Sequence, residues 1–159
     1  MTSLWRKIRQ TGRVAEAVPE HVAGEVPVEE LRGSVQIRHV DAGSCNGCEV
    51  EIASAFGPVY DAERYGARLV ASPRHADALV VTGPVTRNME VALRRTYEAV
   101  PEPRLVIALG DCARNCGAFA GAYGVAGAVG DVVPVDVEVP GCPPEPEAII
   151  SALRGLTGR

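Results

Sequence analysis

Short apolar runs, each cut off by glycine or proline, alternate with segments of helical spacing from residue 33 onward. That alternation constrains the fold more than any other feature. Residues 35–40 alternate like a strand and run into Asp41-Ala42-Gly43-Ser44, and 68–71 read as a second short strand stopped by Ser72-Pro73. Residues 78–82 are an apolar run of the buried-strand type closed by Gly83-Pro84, 104–109 read as a second buried strand closed by Gly110, and 135–139 read as the last strand. Between them, 49–56 reads as a short helix closed by Gly57-Pro58, and 89–100 carries apolar residues among charges and ends before Pro101. Pro144 suits the first turn of a helix over 145–156, and the Gly- and Ala-rich stretch 117–130 reads as loop with at most a short helix. The pattern predicts an α/β fold: a doubly wound, mostly parallel sheet with helices on both faces.

The cysteines follow this rhythm. Cys45 and Cys48 form a C-x-x-C after the first strand, Cys112 follows the 104–109 strand, and Cys142 follows the last strand. Open parallel sheets bind ligands outside the carboxyl ends of their strands, so the topology is expected to bring all four thiols to one edge. Gly43, Gly47, Gly110 and Gly141 flank them, where close backbone approach and sharp turns are needed. Four thiolates suit an iron–sulfur cluster or a structural zinc. A zinc ribbon would show two closely spaced C-x-x-C knuckles, and this chain has one. A thioredoxin-like redox pair would leave Cys112 and Cys142 unused. Four ordinary buried cysteines would leave the glycine-rich turns unexplained.

Composition narrows the function classes. The chain has 159 residues, enough for one domain that buries roughly two-thirds of its unfolded surface without a disulfide or metal. Its formal charge of −4 opposes a nucleic-acid binder, and 2 Phe, 1 Trp and 4 Tyr are too few for a base- or flavin-stacking platform. No apolar run reaches the ~20 residues of a membrane span, and 1–20 lacks a signal-type apolar core, so a cytosolic setting is expected, where disulfides are rare. Residues 1–32 differ from the rest. Ser3 can cap a helix with Leu4, Trp5 and Ile8 on one face and basic residues on the other. The segment reads either as a loose N-terminal arm or as an amphipathic helix docking on a partner or a membrane surface through Trp5. Residues 33–159 form the domain proper.

The strings CNGCEVE (45–51), SPRHADALVVTGPVT (72–86), GDCA (110–113) and VPGCPPEPEAI (139–149) together resemble the cluster-carrying small subunit shared by respiratory complex I and the membrane-bound NiFe hydrogenases. The likeness runs from about residue 35 to 153. The C-x-x-C, where complex I members typically carry adjacent cysteines, is closer to the energy-converting hydrogenase and formate hydrogenlyase branch, as is the PRHAD string. The resemblance implies a flavodoxin-like fold with one 4Fe–4S cluster held by Cys45, Cys48, Cys112 and Cys142. It implies an electron relay with no catalytic residue of its own, between a large catalytic subunit and a ferredoxin-like iron–sulfur subunit. It further implies membrane subunits as partners and a peripheral place on the cytoplasmic side of the membrane. The alternatives are the B-type subunit of a quinone-reducing, complex I-like NADH dehydrogenase and a zinc-stabilised structural adaptor.

Two departures stand out: Cys116, where relatives usually carry glycine, and Glu145, where many carry a basic residue. Cys116 reads as a spare thiol or as an exchange partner of Cys112. Glu145 reads as a first-turn acid or as a carboxylate that lowers a cluster's potential. Around the thiols, Arg74, His75, Arg87 and Arg114 are expected on cluster-side loops, with His75 the candidate for proton uptake on reduction. Glu49 and Glu51 read as helix N-terminal acids or as groups facing a partner. His21 and His39 carry no assigned role.

Overall fold

The computed structural model describes residues 2–11, 31 and 33–159. In chain order the elements are α1 (Thr2–Thr11), β1 (Val35–Asp41), α2 (Gly47–Ala55), β2 (Ala67–Leu69), β3 (Ala78–Thr82) and β4 (Val85–Thr86). They continue with α3 (Glu90–Ala99), β5 (Leu105–Leu109), α4 (Asp111–Asn115), β6 (Val125–Gly127), β7 (Val137–Val139) and α5 (Pro146–Thr157). Five strands form one sheet in the order β2-β1-β3-β5-β7, all parallel. Leaving aside the small β4–β6 pair, this is the 2-1-3-4-5 order of flavodoxin-like folds, with its switch point between β1 and β3.

The sequence explains the order. β3 and β5 are buried at all five positions each, as central strands covered on both faces must be. One face packs against α2 and α5, with Ile37, Ile107, Ile149 and Leu153 in its core. The other packs against α3, where Leu93 is wholly buried among Leu79, Val81 and Val106. β1 is buried at Val35, Ile37 and Val40 and less so between them. Leu31, counted with the arm, is buried in the first of these cores, and the Gly33 amide donates to the Thr157 carbonyl at 2.7 Å, so the packed unit takes in residue 31. The remainder of the arm, 12–30 and 32, lies outside the described residues. α1 carries Trp5 75% exposed.

Several elements differ from expectation. α2 begins at Gly47, which puts Cys48 in its first turn, and Cys112 is the second residue of α4, a five-residue helix expected only as loop. The Gly-rich stretch 117–130 contains β6, which pairs antiparallel with β4. Three residues of strand among glycines show no alternation to read. α5 starts at Pro146 with Glu145 as its N-cap, so Pro146 and not Pro144 fills the first turn, and its first-turn acid is Glu147.

Candidate functional site

The loops leaving β1, β3, β5 and β7 meet at the carboxyl edge of the sheet. Between them lies a hollow of about 100 Å³ lined by Ser44, Cys45, Gly47, Cys48, Gly83, Asp111, Cys112, Gly141, Cys142 and Pro143. A single water needs only about 10–15 Å³ by the same measure, so the space suits a larger group. All four cysteines expected from the sequence line it. Cys48 is buried, Cys112 is half-buried, and Cys45 and Cys142 are exposed.

Each loop is fixed by its own bonds. Asp41 Oδ1 accepts the Gly43 and Ser44 amides at 2.9 and 2.8 Å, and Ser44 Oγ accepts the Asn46 amide at 3.0 Å. On the other side, the Asp111 amide donates to the Gly141 carbonyl at 2.8 Å, and the Gly141 amide donates to Asp111 Oδ1 at 3.1 Å. The β5 and β7 loops are thereby laced together. Gly110 joins the halves. Its backbone, at φ 88 and ψ 162, is one that glycine alone adopts freely, and a Cβ there would stand 2.8 Å from Cys48 Sγ.

The electrostatics call for a cation. Burial, then Glu49, then the other three thiols push the Cys48 thiol up to about 12. Burial, then Cys142 and Cys45, also raise Cys112. Among the described residues, no basic side chain lines the hollow, and Asp111 is the one ionisable group there besides the thiols. Four thiolates in such surroundings are stable only around a positively charged centre, whose binding would release their protons. Among the described residues, no three His, Cys, Asp or Glu side chains are grouped closely enough to hold a metal ion. What fits a thiolate-bound group is the donor set itself, four cysteines lining one hollow of about 100 Å³.

Cys116 stands apart. It does not line the hollow, and burial and then Asp131 raise its thiol, with none of the four other cysteines among the causes. It closes α4 at φ 66, a left-handed conformation that glycine adopts most freely.

The remaining expected residues scatter. Glu49 stands beside Cys48, with its carboxylate bonded to Ser44 and Thr82. Arg74 and His75 lie in a short 3-10 turn that leads into the amino end of β3, at the opposite edge of the sheet, because the link from β2 re-enters the sheet there. Arg87 follows β4 and stacks on Tyr123, 4.8 Å from the ring centre. Arg114 bridges Asp111 at 3.3 Å and Glu138 at 2.9 Å. Sequence reasoning missed Asp111, Thr82 as a side-chain donor, and His39. Asp111 was signalled by its place directly before Cys112.

A flavodoxin-like α/β domain with a four-thiol centre at its switch-point edge is the class that this fold and site define. The family described as NADH ubiquinone oxidoreductase, 20 Kd subunit, matches residues 45–156, and the chain belongs to it. A probable membrane-bound hydrogenase subunit, mbhJ, of Pyrococcus furiosus is 51% identical over 115 residues, covering 72% of this chain and 69% of the relative. Formate hydrogenlyase subunit 7 of Escherichia coli is 44% identical over 123 residues, 77% of this chain but 48% of the relative, so the chain spans about half of that protein. A B-type NADH-quinone oxidoreductase subunit of Herpetosiphon aurantiacus is 46% identical, covering 69% of this chain and 61% of the relative. Among solved structures, a chain of the membrane-bound sulfane sulfur reductase, an archaeal respiratory membrane complex, superposes with a TM-score of 0.70 at 33% identity, covering 80% of this chain and 71% of that one. A chain of an NAD+-reducing [NiFe]-hydrogenase shares the fold at TM-score 0.58 and 21% identity, covering 73% of this chain and 86% of that one.

Proposed function

We propose that this chain is the electron-transfer small subunit of a membrane-associated, NiFe-hydrogenase-like complex of the energy-converting or formate hydrogenlyase type, holding one 4Fe–4S cluster through Cys45, Cys48, Cys112 and Cys142. The observation that carries the reading is the convergence of four thiols around an open space with no cation of its own. The bound group would supply one-electron storage. The chain's own residues do the rest: four sulfurs bind, and Gly110 and Gly83 let the backbone close in. The burial of Cys48 keeps water from one side.

The partners follow from the same reading. Cys45 and Cys142 are exposed, as is Val50 at 55%, which leaves the centre open on the side where a large catalytic subunit would cover it. A ferredoxin-like iron–sulfur subunit would supply or accept electrons, and membrane subunits would anchor the assembly on the cytoplasmic side. Among the described residues no helix is long and apolar enough to cross a membrane. The segment before Leu31 would act as a separate arm, with α1 docking through the exposed Trp5, ahead of a cluster domain whose core takes in Leu31.

A second reading, the B-type subunit of a quinone-reducing, complex I-like assembly, is favoured by the family's own description and by the Herpetosiphon relative. The C-x-x-C at 45–48 and the 51% identity to the Pyrococcus protein favour the hydrogenase branch. A zinc adaptor fits less well, since Zn–S bonds of about 2.3 Å would draw the sulfurs to one point. Isolating the native complex without oxygen and exposing it to hydrogen tests the choice. The hydrogenase reading expects visible absorption to bleach under hydrogen alone. Bleaching only with NADH or a quinol would overturn it in favour of the second.

A further inference from the structure

Glu49 directly follows Cys48, and its carboxylate is held from two sides. Oε2 accepts the Ser44 hydroxyl at 2.6 Å, and Oε1 accepts the Thr82 hydroxyl. Thr82 ends β3 and is wholly buried. A hydroxyl has one proton, and Thr82 gives it to Glu49. Its oxygen can therefore only accept from His39 Nε2, 2.9 Å away, which fixes the Nε2–H tautomer of that ring. His39 Nε2 also stands 3.4 Å from Glu49 Oε1. Every bond of this relay points at the carboxylate, which cannot swing into water without orphaning a buried hydroxyl.

The charge so fixed bears on the site. Glu49 is the next residue after Cys48, whose thiol lines the hollow, so the fixed carboxylate stands one residue from that sulfur. Among the described residues, no basic side chain lines the hollow to offset it. We propose that Glu49 is the residue that sets the reduction potential of the group held by the four cysteines, with Thr82, Ser44 and His39 as the residues that position its carboxylate. The inference rests on the electron-carrying reading above. One electron arrives from a one-electron donor, no bond forms or breaks, and the fixed negative charge opposes the added one. The potential is thereby kept low.

The test is an anaerobic dithionite titration of the full chain, followed by electron paramagnetic resonance, in wild type and in Glu49→Gln, Thr82→Val and Thr82→Ser. Glu49→Gln keeps the shape and an acceptor oxygen but removes the charge. Its reduction equilibrium should move toward the reduced form on the order of tenfold, which is about 59 mV upward for a one-electron couple. Thr82→Val should move it the same way by less, and Thr82→Ser should return it to wild type. A merely structural role would lower iron content or thermal stability without ranking the potentials in this order. An unchanged or lowered potential in Glu49→Gln, at full iron content, overturns the proposal. If Glu49→Gln does not hold the group, equal potentials in Thr82→Val and Thr82→Ser overturn it instead. A wild-type chain with no reducible centre would sink the electron-carrying reading and this inference together, a result visible before any variant is compared.

Discussion

The two halves of the four-cysteine centre are built by different means. The Cys45–Cys48 half is held by side chains. Asp41, Ser44, Glu49, Thr82 and His39 form one connected set of hydrogen bonds drawn from β1, its loop, α2 and β3. The Cys112–Cys142 half is held mainly by backbone: Gly110 donates to the Val139 carbonyl and Asp111 to the Gly141 carbonyl, both at 2.8 Å, with the Asp111 carboxylate on the Gly141 amide and Arg114 bridging Asp111 to Glu138. Each half reaches solvent through one thiol, Cys45 in the first and Cys142 in the second, and the first also contains the buried thiol, Cys48. A half fixed by side chains can be retuned by single substitutions, whereas one fixed by backbone responds mostly to changes at glycine.

The largest expected effect ignores this division. Cys48→Ser and Cys112→Ser, one from each half, should both lose the bound group, while Cys116→Ser should keep it in full. Iron content and visible absorption of the anaerobically purified variants read this directly. Next comes the hinge between the halves. Gly110→Ala forces an unfavourable backbone and drives a methyl against Cys48 Sγ, at a cost of about 1–3 kcal/mol. Thermal unfolding should show it as a lowered midpoint.

Smaller effects separate the halves. Thr82→Val leaves Glu49 and His39 without their shared hydroxyl, and burial makes that loss worth about 1–3 kcal/mol. Asp111→Asn keeps an acceptor for the Gly141 amide and weakens only the half-exposed pair with Arg114, worth about 0–1 kcal/mol. Chemical denaturation of both variants should rank them in that order, and the reverse order would contradict the contrast between the halves.

The smallest effect is a pH dependence in the first half. Burial lowers the proton affinity of His39, and Glu49 and Asp41 only partly restore it against Arg38. The folded chain therefore favours the neutral ring, whereas the unfolded chain takes up a proton near pH 6.5. Stability should be steady above that pH and fall as pH drops below it, levelling once the folded ring is itself protonated. His39→Gln should remove that segment of the stability–pH curve, measured by denaturant titration at several pH values.

This contrast also marks what the sequence disclosed. The parallel sheet and the edge where the cysteines meet were legible, because residues 78–81 and 105–109 are apolar without interruption and a glycine turn follows each strand. The four ligand candidates were legible because each stands in a glycine-containing loop directly after a strand read from the sequence. The relay was not, since residues 39, 49 and 82 become neighbours only when β1, β3 and α2 pack. His39 on its strand looked like any half-buried residue. His75 drew attention as an imidazole expected on a cluster-side loop, yet the short link between β2 and β3 carries it to the far edge. The β4–β6 pair was hidden because three residues among glycines leave no period to detect.

The central claim is that the four thiols hold one iron–sulfur cluster. Iron, sulfide and zinc content of the anaerobically purified wild-type chain tests it most directly. The account predicts about four irons and about four sulfides per chain, with broad visible absorption that bleaches on reduction. A colourless chain with about one zinc and no sulfide would contradict it.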